Sequence, residues 1–301
     1  MLNGLHILLT YTCLYECDHC FLYCGPGSQG TFPLDRLRTL LGEARAVGSV
    51  DWIYFEGGEP FLHYPLLLEG VREAKRLGFR VGIVTNAYWC ENGPDAGLWM
   101  KPLADLRVDD FSISTDAFHG NDEPGSPARM AAAAAAGLGL PADVIRIEGP
   151  QASPAGTDGG RGAPVVGGAV RFCGRAVETL TEGLPRKPLD QFRECPYEDL
   201  RTPQRVHVDP FGNVHVCQGI SAGNVFEVPL PTLLSEYDAD AHPICGPLSR
   251  GGPLLLAREH GVTCPDAVDA CHACFLLRLS LLDRFPDALA PRQVYGVEEQ
   301  G

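Results

Sequence analysis

The sequence predicts an α/β fold built on a parallel sheet, followed by a smaller C-terminal region. Between residues 5 and 148, short apolar runs alternate with segments whose apolar residues recur at helical spacing. After Pro185 this alternation stops, and a hairpin pattern and a series of cysteines follow. Strands that alternate with helices form right-handed crossover units, so we expect a parallel sheet that is either open or closed into a barrel.

Each predicted strand leads into a helix or a polar loop. The first helix shows Leu34, Leu37 and Leu41 at helical spacing and stops at Gly48. The predicted strands cover residues 5–12, 51–55, 79–85, 110–115, 143–147 and 169–172, and the predicted helices cover residues 33–48, 65–77, 95–106, 127–137 and 174–180. Residues 149–168 are rich in Gly, Pro, Ala and Ser, which predicts a mobile loop in the position of a lid.

The C-terminal region begins with a predicted hairpin over residues 205–217. Its turn contains Asp209, Pro210, Gly212 and Asn213, and alternating Val and His residues flank that turn. We therefore predict two domains, residues 1–185 and residues 186–301.

Composition limits the classes of function. The chain has 301 residues, of which 45% are hydrophobic, and a formal net charge of -14. An acidic surface gains little from counterion release, which disfavours a nucleic-acid partner. The sequence contains neither an apolar run of about 18 residues nor the basic region of a signal peptide. We therefore expect no membrane contact and a cytoplasmic location.

The 12 cysteines point to metal chemistry, since a disulfide framework is not expected in a reducing cytosol. Cys13, Cys17 and Cys20 form a CxxxCxxC triplet directly after the first predicted strand. Three thiolates can hold an iron–sulfur cluster and leave its fourth iron open to a ligand. At this point zinc is an alternative, with His19 or Cys24 as the fourth ligand.

A second group of polar residues follows the other strands. Gly57-Gly58-Glu59-Pro60 ends strand two, where glycines allow close approach of a backbone and Glu59 could hold an ammonium group. Asn86 follows strand three, and Ser114 and Asp116 end strand four. In barrels of parallel strands the chemistry lies at this carboxyl end.

Together these residues resemble the radical S-adenosylmethionine (SAM) superfamily over residues 5–180. The resemblance also includes His19, Thr85-Asn86, Ser114-Thr115-Asp116 and Gly174-Arg175-Ala176. It implies a partial (β/α)6 TIM-like barrel, a [4Fe–4S] cluster on Cys13, Cys17 and Cys20, and a 5′-deoxyadenosyl radical formed from SAM. The residues that it suggests for SAM binding are His19, Gly57, Gly58, Glu59, Asn86, Ser112, Ser114 and Arg146, with a solvated strand end as the alternative for Arg146.

The later cysteines resemble the twitch domain, the short relative of the SPASM domain. Cys195 precedes a GxxxxC formed by Gly212 and Cys217, and Cys271-His-Ala-Cys274 supplies a CxxC. The resemblance implies an auxiliary [4Fe–4S] cluster held by Cys195, Cys217, Cys271 and Cys274. Cys245 or Cys264 could replace one of the four, and structural zinc is the alternative metal.

The remaining cysteines and histidines are expected to be structural. Cys24, Cys90 and Cys173 are interpreted as buried thiols, although Cys173 could face the active site. The histidines interpreted as surface or core residues are His63, His207, His215 and His260.

The predicted reaction is hydrogen abstraction from a small-molecule or peptide substrate. The auxiliary cluster could accept an electron in a dehydrogenation, or the product could be a cross-linked or epimerised peptide. Because the sequence starts almost at strand one, no N-terminal peptide-recognition domain is expected. Candidate acid/base residues are Asp116, His119, Glu148 and Asp209. An external electron donor such as flavodoxin or ferredoxin is expected, and a non-catalytic iron–sulfur or zinc-thiolate protein is the alternative class.

Overall fold

The computed structural model describes residues 1–119, 123–150 and 168–297. The elements of the first part are β1 (Gly4–Thr10), α1 (Leu34–Val47), β2 (Trp52–Gly57), α2 (Tyr64–Arg76), β3 (Arg80–Thr85), α3 (Gly93–Asp105), β4 (Asp110–Ser114), α4 (Pro127–Leu138), β5 (Ala142–Ile145) and β6 (Ile147–Glu148). Those of the second part are β7 (Gly168–Ala169), α5 (Ala176–Thr179), β8 (Arg205–Val208), β9 (Asn213–Cys217), β10 (Ile220–Asn224), α6 (Leu230–Glu236), α7 (Cys245–His260) and α8 (Ala270–Leu281).

The main sheet has eight strands in the order β10-β9-β8-β1-β2-β3-β4-β5. From β8 to β5 every neighbouring pair is parallel, whereas β9 is antiparallel to both β8 and β10. The sheet is not closed, since β5 and β10 are its two edges. The prediction of an α/β fold with a partial barrel is confirmed.

The helices pack through the apolar stripes that the sequence shows. Leu37, Leu40, Leu41 and Ala44 form the buried face of α1. Gly48 ends this helix with a φ of 79°, a left-handed conformation that glycine adopts without steric cost. On the strands, Leu5, Ile7 and Leu9 are fully buried, so the core lies between β1 and the surrounding helices.

The predicted fifth and sixth strands are wrong in detail. The fifth breaks at Arg146, because the N–H of Ile147 donates to Oδ2 of Asp116 at 3.2 Å instead of continuing the ladder with β4. The sixth comprises only Gly168–Ala169, which pair with β6. The predicted helix over 174–180 shortens to Ala176–Thr179. The predicted loop over 149–168 lies almost entirely outside the described residues.

The predicted hairpin is confirmed and becomes part of the barrel sheet. His6 of β1 lies opposite His207 of β8, and Val208 lies opposite Val214 of β9. The largest hydrophobic cluster includes residues from both sides of position 185. The boundary at residue 185 therefore stays a prediction, and the sheet crosses it. None of the helices in the described ranges is long and apolar enough to cross a membrane.

Candidate active site

A single cavity of about 430 Å³ lies at the carboxyl ends of the parallel strands. Cysteines from both predicted sets line it, together with polar side chains from β1, β2, β4 and β8. The cysteines on its wall are Cys13, Cys17, Cys20, Cys24, Cys173, Cys195, Cys217, Cys271 and Cys274. The fold therefore joins residues that are more than 250 positions apart in the sequence.

The loop of the first cysteine triplet is fixed to the end of β2. Gly58 donates its N–H to the carbonyl oxygen of Thr10 at 2.7 Å, and Glu59 donates to Thr12 at 3.0 Å. A Cβ on Gly57 or Gly58 would overlap these threonine carbonyls, and Gly57 has a φ of 134°. The two glycines thus permit close packing of the GGEP turn against the residues that precede Cys13.

Arg175 holds the other side of this loop. Its Nη1 donates to the carbonyl oxygen of Cys17 at 2.9 Å, and its Nη2 donates to that of Cys24 at 2.8 Å. The preceding Gly174 has a φ of 62°, and a Cβ there would overlap the backbone of Cys20 and Phe21. The Gly174-Arg175-Ala176 motif therefore supports the cysteine loop.

The thiols of the triplet lie close enough to influence one another. Burial and the neighbouring Cys20 and Cys13 raise the pKa of Cys17 to about 12. Burial raises the pKa of Cys13 to about 11, and Asn86 donates from Nδ2 to its Sγ at 3.6 Å. Cys24 forms a thiol hydrogen bond with Cys20, which lowers the pKa of Cys20. Metal coordination is the usual way to stabilise several buried thiolates together.

Glu59 is placed differently from the expectation that it holds the SAM ammonium. It is fully buried and is not among the residues that line the cavity. Its Oε1 accepts from Thr85 Oγ1 at 2.8 Å and from the N–H of Phe61 at 3.0 Å, and its Oε2 accepts from the N–H of Asn86 at 2.8 Å. Burial raises the pKa of Glu59 to about 7. The carboxylate joins β2 to β3, and Gly57 and Gly58 face the cavity in its place.

The predicted residues of β4 do face the cavity. Ser112, Ser114 and Asp116 line it, as the two-residue period of a strand requires. Oδ1 of Asp116 accepts from Nδ1 of His119 at 2.7 Å and from the N–H of Phe118 at 3.1 Å. Burial raises the pKa of Asp116, but these hydrogen bonds and the nearby histidine charges outweigh it and lower the pKa overall.

His19 lies beside this pair. Its ring centroid is 4.6 Å from that of Phe118 and 5.2 Å from that of His119. Burial lowers the pKa of His19 to about 4, so its imidazole is neutral at pH 7. Among residues 1–119, 123–150 and 168–297, its buried Nδ1 has no hydrogen-bond partner, which is consistent with an atom that contacts a bound group.

Three predicted site residues lie elsewhere. Arg146 and Glu148 are exposed and do not line the cavity, where Ile145 and Ile147 of the same segment take their place. Asp209 is fully buried in the hairpin turn and accepts hydrogen bonds from Tyr11, His215 and the backbone of the turn. These contacts make Asp209 a structural residue.

The second thiol set surrounds the first turn of α8. Asp269 caps this helix by accepting from the N–H of His272 at 2.8 Å, which places Cys271 and Cys274 three residues apart on one face. Cys217 ends β9, five residues after Gly212, whose φ of 90° forms the turn. Helix α7 is interrupted at Gly252, and the segment that contains Cys195 packs into this break. A Cβ on Gly252 would overlap the backbone of Glu194.

The arginines near the second thiol set suit an anionic metal–sulfur group. Buried Arg278 interacts with Cys274, Cys217 and Cys173, and among the described residues its Nε has no hydrogen-bond partner. Arg171 interacts with Cys271 and Cys173 but already pairs with Glu198 at 2.7 Å. Buried guanidinium groups require anionic partners, and thiolates or a sulfide cluster would supply them.

Cys173 is the thiol that the sequence left undecided. It lines the cavity and interacts with Cys217 and Arg278, and burial raises its pKa to about 12. Cys245 and Cys264 do not line the cavity: the first contacts the Tyr237 hydroxyl and the second donates to the carbonyl of Ala273 at 3.8 Å. Of these three thiols, Cys173 is the one placed to contact a bound group.

Sequence reasoning missed one polar cluster, formed by His6, Glu56 and His207. All three line the cavity, and both imidazoles lie within 3.2 Å of Oε1 of Glu56. The two-residue period of β2 could have indicated this cluster, because Tyr54 and Glu56 alternate with the fully buried Ile53 and Phe55. His215, in contrast, is a buried structural residue as expected.

Comparison with known proteins identifies the class to which this site belongs. Residues 7–123 match the family described as the Radical SAM superfamily. This match confirms the radical SAM superfamily that the cysteine triplet and the Gly57-Gly58-Glu59-Pro60 motif together predicted.

Two curated relatives and one solved structure illustrate the similarity. The tungsten-containing aldehyde ferredoxin oxidoreductase cofactor-modifying protein of Pyrococcus furiosus is 33% identical over 113 residues, 37% of this chain and 30% of that protein. The putative peptide biosynthesis protein YydG of Bacillus subtilis is 27% identical over 113 residues, 38% of this chain and 35% of that protein. The chain therefore spans about a third of the length of either relative. The structure of Streptococcus suis SuiB bound to S-adenosylmethionine has the same fold, with a TM-score of 0.52 and 14% identity over 79% of this chain and 66% of that one.

Proposed function

We propose that this protein is a radical SAM enzyme with two iron–sulfur clusters that open onto one substrate cavity. Cys13, Cys17 and Cys20 hold the SAM-binding [4Fe–4S] cluster, and Cys195, Cys217, Cys271 and Cys274 hold an auxiliary one in a twitch-like region that follows residue 185. The observation that supports this assignment most strongly is that all seven thiols line the same cavity.

The donor sets fit these groups. Three thiols leave one iron open to the amino and carboxylate groups of SAM, whereas four thiols close the coordination of the other cluster. His19, Ser112 and Ser114 line the cavity on the side of the first thiol set, and Nδ1 of His19 is buried without a hydrogen-bond partner in the described part of the chain. Arg278 lines the cavity beside the second thiol set. A cluster held by Cys13, Cys17 and Cys20 would supply the single electron that SAM cleavage needs, and hydrogen-atom abstraction from a substrate is the chemistry that this would make available.

The residues of the chain have supporting tasks in this scheme. Arg175 and the GGEP turn fix the cysteine loop, and Asn86 donates to the Cys13 sulfur. The Asp116–His119 pair lines the cavity and can accept a proton from a bound substrate. A dehydrogenation would release one hydrogen atom to the radical, one proton to such a base and one electron to the auxiliary cluster.

The substrate is a small molecule or a peptide. Peptide modification, as a cross-link or an epimerised residue, is the second candidate, and it is supported by the similarity to a protein described as a putative peptide biosynthesis protein. A flavodoxin or ferredoxin in the cytoplasm would supply the electron.

The metal content of cysteine variants tests the assignment of the two clusters. After anaerobic reconstitution, a Cys13/Cys17/Cys20→Ala triple variant should retain one cluster, which is about half of the iron and sulfide of the parent protein. Cys217→Ala should also lose about half, whereas the matched variant Cys245→Ala should keep all of it. Complete loss of iron in the triple variant would show that no separate auxiliary site exists.

A further inference from the structure

We propose that His6, Glu56 and His207 bind a divalent transition-metal ion at the floor of the cavity, separate from both cysteine sets. Nδ1 of His6 lies 3.2 Å from Oε1 of Glu56, and Nε2 of His207 lies 3.0 Å from the same oxygen. One ligand atom from each residue lies within 4.8 Å of the others. The separations of 3.0 and 3.2 Å fit the edges of a coordination shell whose bonds are about 2.0–2.2 Å long.

Three strands fix the positions of these side chains. His6 is on β1, Glu56 is on β2 and His207 is on β8, and the register places His6 directly opposite His207. The ring of Tyr54 stacks on His6 with a centroid separation of 4.7 Å and an angle of 14° between the planes. Side chains on rigid, neighbouring strands can hold an ion with little loss of conformational entropy.

The charge balance favours a cation here. Glu56 is hydrogen-bonded to two imidazoles, and its charge is not paired with a lysine or arginine among the residues that the structure describes. Arg205 is close to His207, but Glu198 accepts from it at 3.2 Å. Asp110, which accepts from the Tyr54 hydroxyl at 3.0 Å, adds a second carboxylate to this part of the cavity. Buried carboxylates are normally paired with a cation or coordinate a metal.

The ligand types select the class of metal. Two imidazoles and one carboxylate suit Zn²⁺, Fe²⁺ or Co²⁺, while Mg²⁺ and Ca²⁺ prefer oxygen ligands. Three protein ligands leave at least one coordination position, and all three side chains line the cavity. An oxygen or nitrogen atom of a bound molecule can take that position, so the ion would orient a substrate beneath the SAM site.

Zinc binding to the cluster-loaded protein tests this site directly. Anaerobic calorimetric titration with ZnCl₂ should show one site per chain in the parent protein. Glu56→Gln and His207→Gln should weaken binding by more than about 100-fold, because changes to outer-shell partners alone reduce affinity about 10- to 100-fold. The matched control is His63→Gln, whose histidine contacts Thr31 and lies outside the cavity wall, and it should bind zinc like the parent.

Zinc-edge X-ray absorption of the loaded parent protein separates a histidine–carboxylate site from a cysteine site even if a variant fails to fold. The site predicts only nitrogen and oxygen neighbours at about 2.0–2.2 Å. Sulfur neighbours at about 2.3 Å would place the zinc on cysteines and overturn the proposal. The absence of zinc binding would also overturn the proposal. His6, Glu56 and His207 would then form only a hydrogen-bonded network. Because iron content and SAM cleavage are measured separately, either failure is distinguishable from failure of the proposed function.

Discussion

Nη1 of Arg175 donates to the carbonyl oxygen of Cys17 at 2.9 Å, and so joins the end of the barrel to the loop of its first cysteines. The same guanidinium reaches Cys24 with its second nitrogen at 2.8 Å. The planar guanidinium presents its donors in a rigid fork and holds two carbonyls in one fixed geometry, whereas a lysine ammonium is a point charge on a flexible stem. The position of the cysteine loop therefore depends on a residue more than 150 positions away.

We predict that Arg175→Ala weakens this loop. Two charge-assisted hydrogen bonds to backbone carbonyls are lost, which should cost about 2–4 kcal/mol of stability. Iron should leave the anaerobically reconstituted variant faster than the parent when a chelator is added. The control is Arg258→Ala, an exposed position on α7, which should release iron at the parental rate. Equal rates in all three proteins would contradict the role assigned to Arg175.

A second prediction concerns the reduction potential of the auxiliary cluster. Arg278 is a buried cation among Cys274, Cys217 and Cys173, so it should stabilise the more negative, reduced state of a cluster there. Arg278→Gln should therefore lower the potential, as measured by redox titration followed by electron paramagnetic resonance. Arg284→Gln, at an exposed arginine that donates to the carbonyl of His260, is the matched control. A potential that is unchanged by Arg278→Gln would place the cluster away from this group.

The buried carboxyl group of Glu59 predicts a dependence of stability on pH. Its pKa is raised by burial from the ordinary value of 4.5 to about 7, so the folded protein binds more protons than the unfolded chain between these values. This group therefore makes stability fall as the pH rises from 4.5 to 7, by roughly 1 kcal/mol per pH unit at most. The free energy of unfolding, measured between pH 5.5 and 8, should decrease with rising pH up to about 7.

Glu59→Gln provides the comparison for that measurement. Glutamine cannot titrate, so the contribution of this group should vanish from the slope. The variant should also be less stable than the parent at pH 8, because both carboxylate oxygens accept hydrogen bonds and an amide can replace only one of them as an acceptor. Identical slopes in the two proteins would mean that Glu59 is ionised throughout this range.

The variant Asp116→Asn distinguishes a structural role of Asp116 from a role in proton transfer. The carboxylate accepts from the N–H groups of Phe118 and Ile147 on different oxygens, so an amide would lose one of these contacts. We expect a loss of about 1–3 kcal/mol, visible as a lower thermal midpoint. A variant that keeps its midpoint but loses turnover would instead make Asp116 primarily a proton-transfer residue.

The sequence was most informative where a local pattern is sufficient. Strands β1 to β4 and helices α1 to α4 follow apolar periodicity and glycine stops, and all were predicted to within a few residues. The cysteine triplet left zinc as an alternative, and only together with Gly57-Gly58-Glu59-Pro60 after the second strand did it predict the radical SAM superfamily.

Long-range contacts could not be read from local patterns. The sequence left Arg146 open between a SAM-binding residue and a solvated strand end, and the exposed position agrees with the second interpretation, because Asp116 takes the N–H of Ile147 and breaks the strand at that point. His207 was interpreted as a surface or core residue, because nothing in its neighbourhood shows that β8 pairs with β1 beside His6. Glu59 was expected to contact SAM, yet the backbone of Asn86 and the side chain of Thr85 surround it.

The central claim is that Cys13, Cys17 and Cys20 hold a cluster that cleaves SAM. The most direct measurement is to reconstitute the protein anaerobically, count iron and sulfide, and assay 5′-deoxyadenosine after addition of SAM and dithionite. We expect about eight iron atoms per chain, as two [4Fe–4S] clusters require, and 5′-deoxyadenosine that disappears in the Cys13/Cys17/Cys20→Ala variant. Zinc in place of iron, or intact clusters without any 5′-deoxyadenosine, would contradict it.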